Sequence, residues 1–370
     1  MTETLQLESA IKLARARSLL EKHQADGLLL RRVSSFAWAT CGAASYVNTA
    51  ATEGGASLLI TRERCFLATT NIEAPRLEEE SGLAEQGWEF CVSPWREPLS
   101  GLEKLVAHLD LIADVAYPKA RNIAAEMARQ RASLTEFEAG RFRSLARLCA
   151  AAMDSAARSV KPGMSEVHIA ALLGCEAHQL GVQPIVNLIA TDGRVFLYRH
   201  PLPTDKKLEQ YALLVLSGRK WGLVCSISRL VHFGRLPADL RARIEATMGV
   251  NAALIAHSLP GRSLGEVFQA GQAAYAGAGY PDEWQRHHQG GVVGYEPREY
   301  LAMPGSTDRI AAGQALSWNP SIAGAKVEDT ILVEEHGSEI LTAIPGWPAA
   351  AVPVPGLGVE IICPQVLEIF

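Results

Sequence analysis

The stretches KPGMSEV, Lys161–Val167, and LPGRSLGEV, Leu259–Val267, decide how this chain folds. Each follows a helical pattern that ends in small residues, and each opens a new one. Proline and glycine stop the first helix, and the serine supplies an N-cap for the second. Two helix, turn, helix units about a hundred residues apart predict an internal duplication of the C-terminal part. Recurrent turn chemistry alone is the alternative.

Upstream, Leu134–Val160 is amphipathic at helical spacing, with Thr135 as N-cap and Glu138 as its capping-box partner. Before it, Ser9–Gln24 carries Ile11, Leu13, Ala14, Leu19 and Leu20 on a helical stripe. GLLLRR, ASLLITR and RCFLATT are short apolar runs bounded by Gly, Arg and Thr, which predicts strands of a helix-covered sheet. The chain therefore reads as α/β (α+β). Its 370 residues suit two domains, 1–132 and 133–370.

Composition excludes several functions. With 48% apolar and 20% charged residues the chain is globular rather than disordered. Its net charge of −5 and lack of a basic cluster leave no footprint for nucleic acid or an anionic membrane. No apolar run reaches the roughly 18 residues of a membrane span, and the start lacks the basic and apolar segments of a secretory signal. The seven cysteines are scattered, without a CxxC pair, as expected of reduced thiols in a cytoplasm. Cys225 stands out only because it adjoins candidate site residues. A small molecule or short peptide is the expected partner.

Chemistry concentrates in three segments. His200 lies in FLYRHPLPT, before the apolar run YALLVL. His287 and His288 precede paired glycines in HHQGGVVGYEPRE, which also holds Tyr295 and Arg298. In LSWNPSIAGAKVEDTILV, Leu316–Val333, the two arms form a hairpin; alternation puts Val327, Asp329, Ile331 and Val333 on one face and Glu328 with Thr330 on the other. Imidazole titrates near neutrality and suits proton transfer, whereas the planar fork of Arg298 suits a carboxylate. Ser226 and Ser228, in VCSISR, lack the GxSxG elbow of a nucleophile.

In this order, the linker KPGMSE, the RHPLPT segment, LLVLSGRKWGLVCSISRLV, HHQGGVVGYEPRE and the final hairpin resemble the creatinase, prolidase and aminopeptidase P family of the pita-bread fold. The resemblance covers nearly the whole chain. It implies a creatinase/prolidase-like N-terminal domain followed by a pita-bread domain with pseudo-duplication. The metallopeptidases of that family hold two divalent ions with two Asp, one His and two Glu. Here those positions fall near Val215–Ser217 and at Ser226, Gly291, Asn319 and Glu328, so only Glu328 remains a ligand and no catalytic metal or other cofactor is expected.

Creatinase works on this fold without metal, and its histidine and one of its acids map to His200 and Glu328, while another acid falls at Ser228. A histidine of the metallopeptidases falls at Arg298. The resemblance thus implies a metal-independent hydrolase of a C–N bond in a small carboxylate-bearing amide, guanidino compound or peptide. His200 and Glu328 would be catalytic; His287, His288, Arg298, Asn319, Ser226, Ser228 and Tyr295 would bind substrate. The alternatives are a non-catalytic binding protein and, after it, an Xaa-Pro-peptidase-like metallohydrolase with substitute ligands. A homodimer is also implied, in which one subunit's N-terminal domain helps cover the other's site; Arg31, Arg32, Tyr46 and Asn48 are the first-domain candidates.

Overall fold

The apolar run Gly27–Arg32 forms β1, which buries Leu28, Leu29 and Leu30 at the middle of a six-stranded sheet. A strand apolar toward both faces needs cover on both. Its sheet has the order β4-β3-β2-β1-β5-β6, with β2 Glu53–Thr61, β3 Cys65–Thr70, β4 Glu89–Ser93, β5 Leu111–Ala113 and β6 Ala120–Asn122. Helices α1 (Glu3–His23), α2 (Val33–Ala39), α3 (Ser100–Val106) and α4 (Ala124–Ala132) are interspersed among the strands, and α1 buries Ala16, Leu19 and Leu20. In this computed structural model, which describes residues 3–370, contacts divide the chain into two units. The first runs to Phe137 and includes Trp221–Leu223; the second is Glu138–Lys220 with Val224–Phe370.

The second unit begins with α5 (Glu136–Ser159) and α6 (Glu166–Gln179), followed by β7 (Gln183–Thr191), α7 (Gly193–Leu197), β8 (Tyr211–Lys220) and β9 (Leu223–Phe233). Then α8 (Ala238–His257) and α9 (Leu264–Gly277) lead to β10 (Gly290–Val293), β11 (Tyr300–Leu301), β12 (Ala315–Trp318), β13 (Ser321–Ile322), β14 (Ala325–Lys326), β15 (Asp329–Glu334) and β16 (Gly337–Ile340). β17 (Ala349–Val354), β18 (Val359–Pro364) and β19 (Leu367–Ile369) complete it. One sheet has the order β19-β9-β8-β7 and the other β11-β10-β12-β15-β16. Leu240, Ile244, Met248 and Ala252 recur every four residues along α8, and this seam packs on Tyr211, Leu213 and Val215, the alternate residues of β8.

The two Pro-Gly turns adopt one geometry. Gly163 and Gly261 take φ of +88° and +85°, a conformation that only glycine enters freely. Their N–H groups donate to Leu208 O and Ile310 O, both at 2.8 Å. Ser165 and Ser263 then cap α6 and α9 and form isolated bridges to Lys207 and Arg309. The turn, its cap and its bridge are thus repeated in the backbone as well as in the sequence. No helix among the described residues is long and apolar enough to cross a membrane.

Candidate active site

Glu328 sits where the two sheets of the second unit meet. Ser228, on β9, bridges to it through the backbone, with Ser228 N–H donating to Glu328 O at 3.2 Å. Strand alternation carries Lys326, Glu328 and Thr330 to one face, and Asp329 to the other, where Arg229 pairs with it at 2.9 Å. A buried carboxylate must be paired and hydrogen-bonded to stay ionised. Glu328 is both: Ser228 Oγ donates at 2.5 Å, Arg298 Nη2 lies at 3.3 Å and Lys326 Nζ at 3.5 Å. Burial pushes its carboxyl up, but Lys326, Arg298 and the Ser228 hydroxyl outweigh this and hold it below the usual carboxylate range.

The loop carrying His200 is fixed by two acids. Fully buried Glu166, at the start of α6, accepts the N–H and hydroxyl of Thr191 at 2.8 and 3.0 Å and those of Thr204 at 3.0 and 2.7 Å, and pairs with Arg194 at 3.2 Å. Asp192 accepts N–H groups from Glu209, Gln210 and Tyr211 and the Lys206 ammonium. Between these anchors, Arg199 pairs with Glu283 in the short 3-10 turn Glu283–Arg286, which leads directly into His287 and His288. His200 Nε2 lies 3.1 Å from His287 Nε2, and the ring centroids of His287 and His288 are 4.5 Å apart.

All three imidazoles are held neutral. Burial, then the charges of Lys326 and Arg298, pull His200 below its ordinary value, with Glu328 pulling the other way. His287 is driven far down by burial and Lys326. His288 is pushed down to about 4 by burial, Arg298 and Lys326. The polar groups of His287 are further ordered from below: Gln289 donates to His287 O, and the Tyr275 hydroxyl donates to Gln289 Oε1 at 2.8 Å.

His200, His287, His288, Arg298, Ser228 and Glu328 therefore converge as one cluster, linked by contacts and mutual charge. Asn319 is buried, with its N–H on Gln289 O and its side-chain oxygen unpartnered. Ser226 uses its hydroxyl on Ser217 at 2.8 Å and its N–H on Thr330 Oγ1. Tyr295 spends its hydroxyl differently from the substrate role expected of it, donating to Glu138 of α5 at 2.6 Å. Cys225 is fully buried beside Cys149. In the first unit, Arg31 pairs with Glu53 at 3.1 Å, the N–H groups of Arg31 and Arg32 donate to Asp114, and a cavity of about 340 Å³ is lined in part by Arg31, Tyr46 and Asn48.

Sequence reasoning missed Lys326, Glu166 and Asp192. Lys326 was within reach, since the alternation that places Glu328 puts the residue two before it on the same face. Glu166 and Asp192 carry no such signal, because their partners lie across loops in space.

The profile of metallopeptidase family M24 matches residues 140–335. An uncharacterized peptidase of Staphylococcus epidermidis is 28% identical over 151 residues, 39% of this chain and 43% of its own length. The agropine synthesis cyclase of Rhizobium rhizogenes is 33% identical over 113 residues, 29% of this chain and 28% of its own. The chain thus spans less than half the length of these relatives. The Xaa-Pro dipeptidase of Bacillus anthracis has the same fold, with a TM-score of 0.78 at 18% identity, over 98% of this chain and all of that one.

A two-ion centre of the kind the family name implies does not fit these residues. Hard divalent ions need several converging oxygen donors. Ser217 and Ser226 satisfy each other, both oxygens of Glu328 are occupied by cations or a hydroxyl, and Asn319 offers one neutral oxygen. At Gly291 a Cβ would lie 2.4 Å from Tyr300 O, so this backbone admits no side chain there.

Proposed function

The chain belongs to metallopeptidase family M24, and from that premise we propose a hydrolase of a C–N bond in a small carboxylate-bearing amide, guanidino compound or short peptide that works through imidazole and carboxylate. One observation carries this reading. Arg298 and Lys326 both press on Glu328, while Arg199 is matched by Glu283, so the buried cluster holds one positive charge in excess. An unbalanced buried charge is costly, and a substrate carboxylate would balance it.

His200 keeps an exposed edge and is neutral at pH 7, as a general base requires. With His287 Nε2–H donating to His200 Nε2 in the resting state, a water that displaces this contact loses its proton to His200 while attacking the carbonyl or amidine carbon. His200 then returns the proton to the leaving nitrogen. Lys326 and Arg298 stabilise the negative oxygen, and Glu328 fixes both cations in place. Ser228 fixes Glu328 in turn. The cyclase among the relatives supports keeping non-peptide substrates in view. We take the active form to be a homodimer, and the seven free cysteines suit a reducing compartment such as the cytoplasm.

The test is a screen of amides, dipeptides and guanidino acids, each as free acid and as methyl ester, with wild type and His200→Ala. Turnover of free acids only, reduced about 10²- to 10⁴-fold in His200→Ala, is expected. Equal turnover of esters defeats the carboxylate requirement. No turnover by wild type defeats the hydrolase reading and favours a binding protein.

A further inference from the structure

His200, His287 and His288 bring one ring nitrogen each to within 4.8 Å of one another. The His200 and His287 Nε2 atoms, at 3.1 Å, already lie near the spacing of two nitrogens on one tetrahedral ion, about 3.3 Å for bonds of 2.0–2.1 Å. His288 Nδ1 is buried without a hydrogen-bond partner. A buried nitrogen left unpaired asks for a reason, and a ligand role is one of the few that supply it.

We propose that these three imidazoles form a site for one borderline divalent ion of the zinc, cobalt(II) or nickel(II) type, displaced from the position where the family's ions would lie. Imidazole suits such ions, whereas magnesium, calcium and manganese select carboxylates and carbonyls. Ser321 Oγ lies 3.5 Å from His287 Nδ1, on the side away from His200, where a second shell orients a ligating ring. Three protein donors leave the fourth position open.

The charged groups facing the site set its selectivity. Arg199, Arg298 and Lys326 repel any cation, and Glu283 and Glu328 offset two of the three. The residual repulsion excludes hard ions, which have no imidazole preference to offset it, and favours an anion in the open position. Occupancy would tie up the His200 lone pair. The ion therefore silences the proton transfer proposed above, opposite to the effect expected in a two-metal peptidase, where chelation abolishes activity.

The inference goes beyond the proposed hydrolysis and is read by binding. The full chain, stripped with a chelator, is titrated with zinc by calorimetry, with cobalt(II) by visible absorption and with manganese(II) as control. One zinc or cobalt ion per chain, with a low-symmetry cobalt spectrum and no saturable manganese, is expected. His288→Ala should weaken binding by more than the roughly 10- to 100-fold that follows loss of an outer-shell partner. His288→Cys should restore it with an altered cobalt spectrum, and Asn319→Ala should leave it unchanged, thermal melting showing that each variant folds. Absence of saturable zinc binding, binding undiminished in His288→Ala, or two ions per chain lost in Asn319→Ala would overturn the site. An inactive protein that binds one zinc would sink the hydrolase and keep the site; an active one that binds none would do the reverse.

Discussion

Ser165 and Ser263 cap corresponding helices after matching glycine turns, but the glutamate that follows each has a different fate. Glu266 closes a capping box with Ser263 at the surface. Glu166 reaches beyond its helix and holds Thr191 at the end of β7, Arg194 on α7 and Thr204, which flank His200 on both sides. The halves diverge again in the sheets. β8 and β9 present Ser217, Ser226 and Ser228, hydroxyls that satisfy neighbours, whereas the second half supplies His287, His288, Arg298, Lys326 and Glu328. A duplicated scaffold repeats what builds helices and turns; it does not repeat the side chains of the cluster, because the two halves contribute different groups to it.

The largest effect should separate the two glutamates. Glu166→Gln removes a buried charge that pairs with Arg194 and accepts four hydrogen bonds, so the loss should be about 3 kcal/mol of unfolding free energy. Urea midpoints measure it, and a fall in kcat at unchanged melting slope would show that His200 also loses its position. Glu266→Gln, at an exposed cap, should lower the midpoint by only a small fraction of that. Equal losses would mean that Glu166 is a capping residue like its counterpart.

The next effect belongs to the imidazole cluster of the second half. His288 has a folded pKa near 4 against about 6.5 in an unfolded chain, so the native state binds the proton less readily. Stability is then fully present above pH 6.5 and is lost as pH falls from 6.5 toward 4. After a discount for its partial exposure, His288 alone should account for on the order of 1–2 kcal/mol. Lys326, Arg298, His200 and Glu328 face it, and Glu328, held below its usual range, gives up its own contribution only under more acidic conditions. A series of urea midpoints against pH should flatten in His288→Gln. An unchanged slope would place the imidazole in solvent.

The fold was legible because its signals are local. The PG turns, the apolar run of β1 and the alternation around Glu328 each depend on neighbours in sequence, and the six residues of the cluster, Glu328 included, came from motifs of that kind. Tyr295 came from a motif of the same kind, but only Glu138 of α5, 157 positions away, shows what its hydroxyl meets. Lys326 stood in the same alternation as Glu328, two residues before it, and the sequence reading did not single it out. Glu166 and Asp192 could not be read, since no periodicity links either acid to the groups it holds between Thr191, at the end of β7, and Tyr211, at the start of β8.

The smallest effect tests the duplication itself. Gly163 and Gly261 both take positive φ, and at each an added Cβ would meet nothing within 4 Å, so alanine brings backbone strain without a clash. Each substitution should cost about 1 kcal/mol, the left-handed penalty of a residue with a Cβ. The equality matters more than the size. If Gly163→Ala and Gly261→Ala shift the urea midpoint alike, the turns are energetically as well as geometrically repeated, and the divergence of Glu166 from Glu266 was built on an unchanged frame. A much larger loss at Gly163 would show instead that the first turn has been recruited to hold the His200 loop through its bond to Leu208, and that the halves differ from the turn onward.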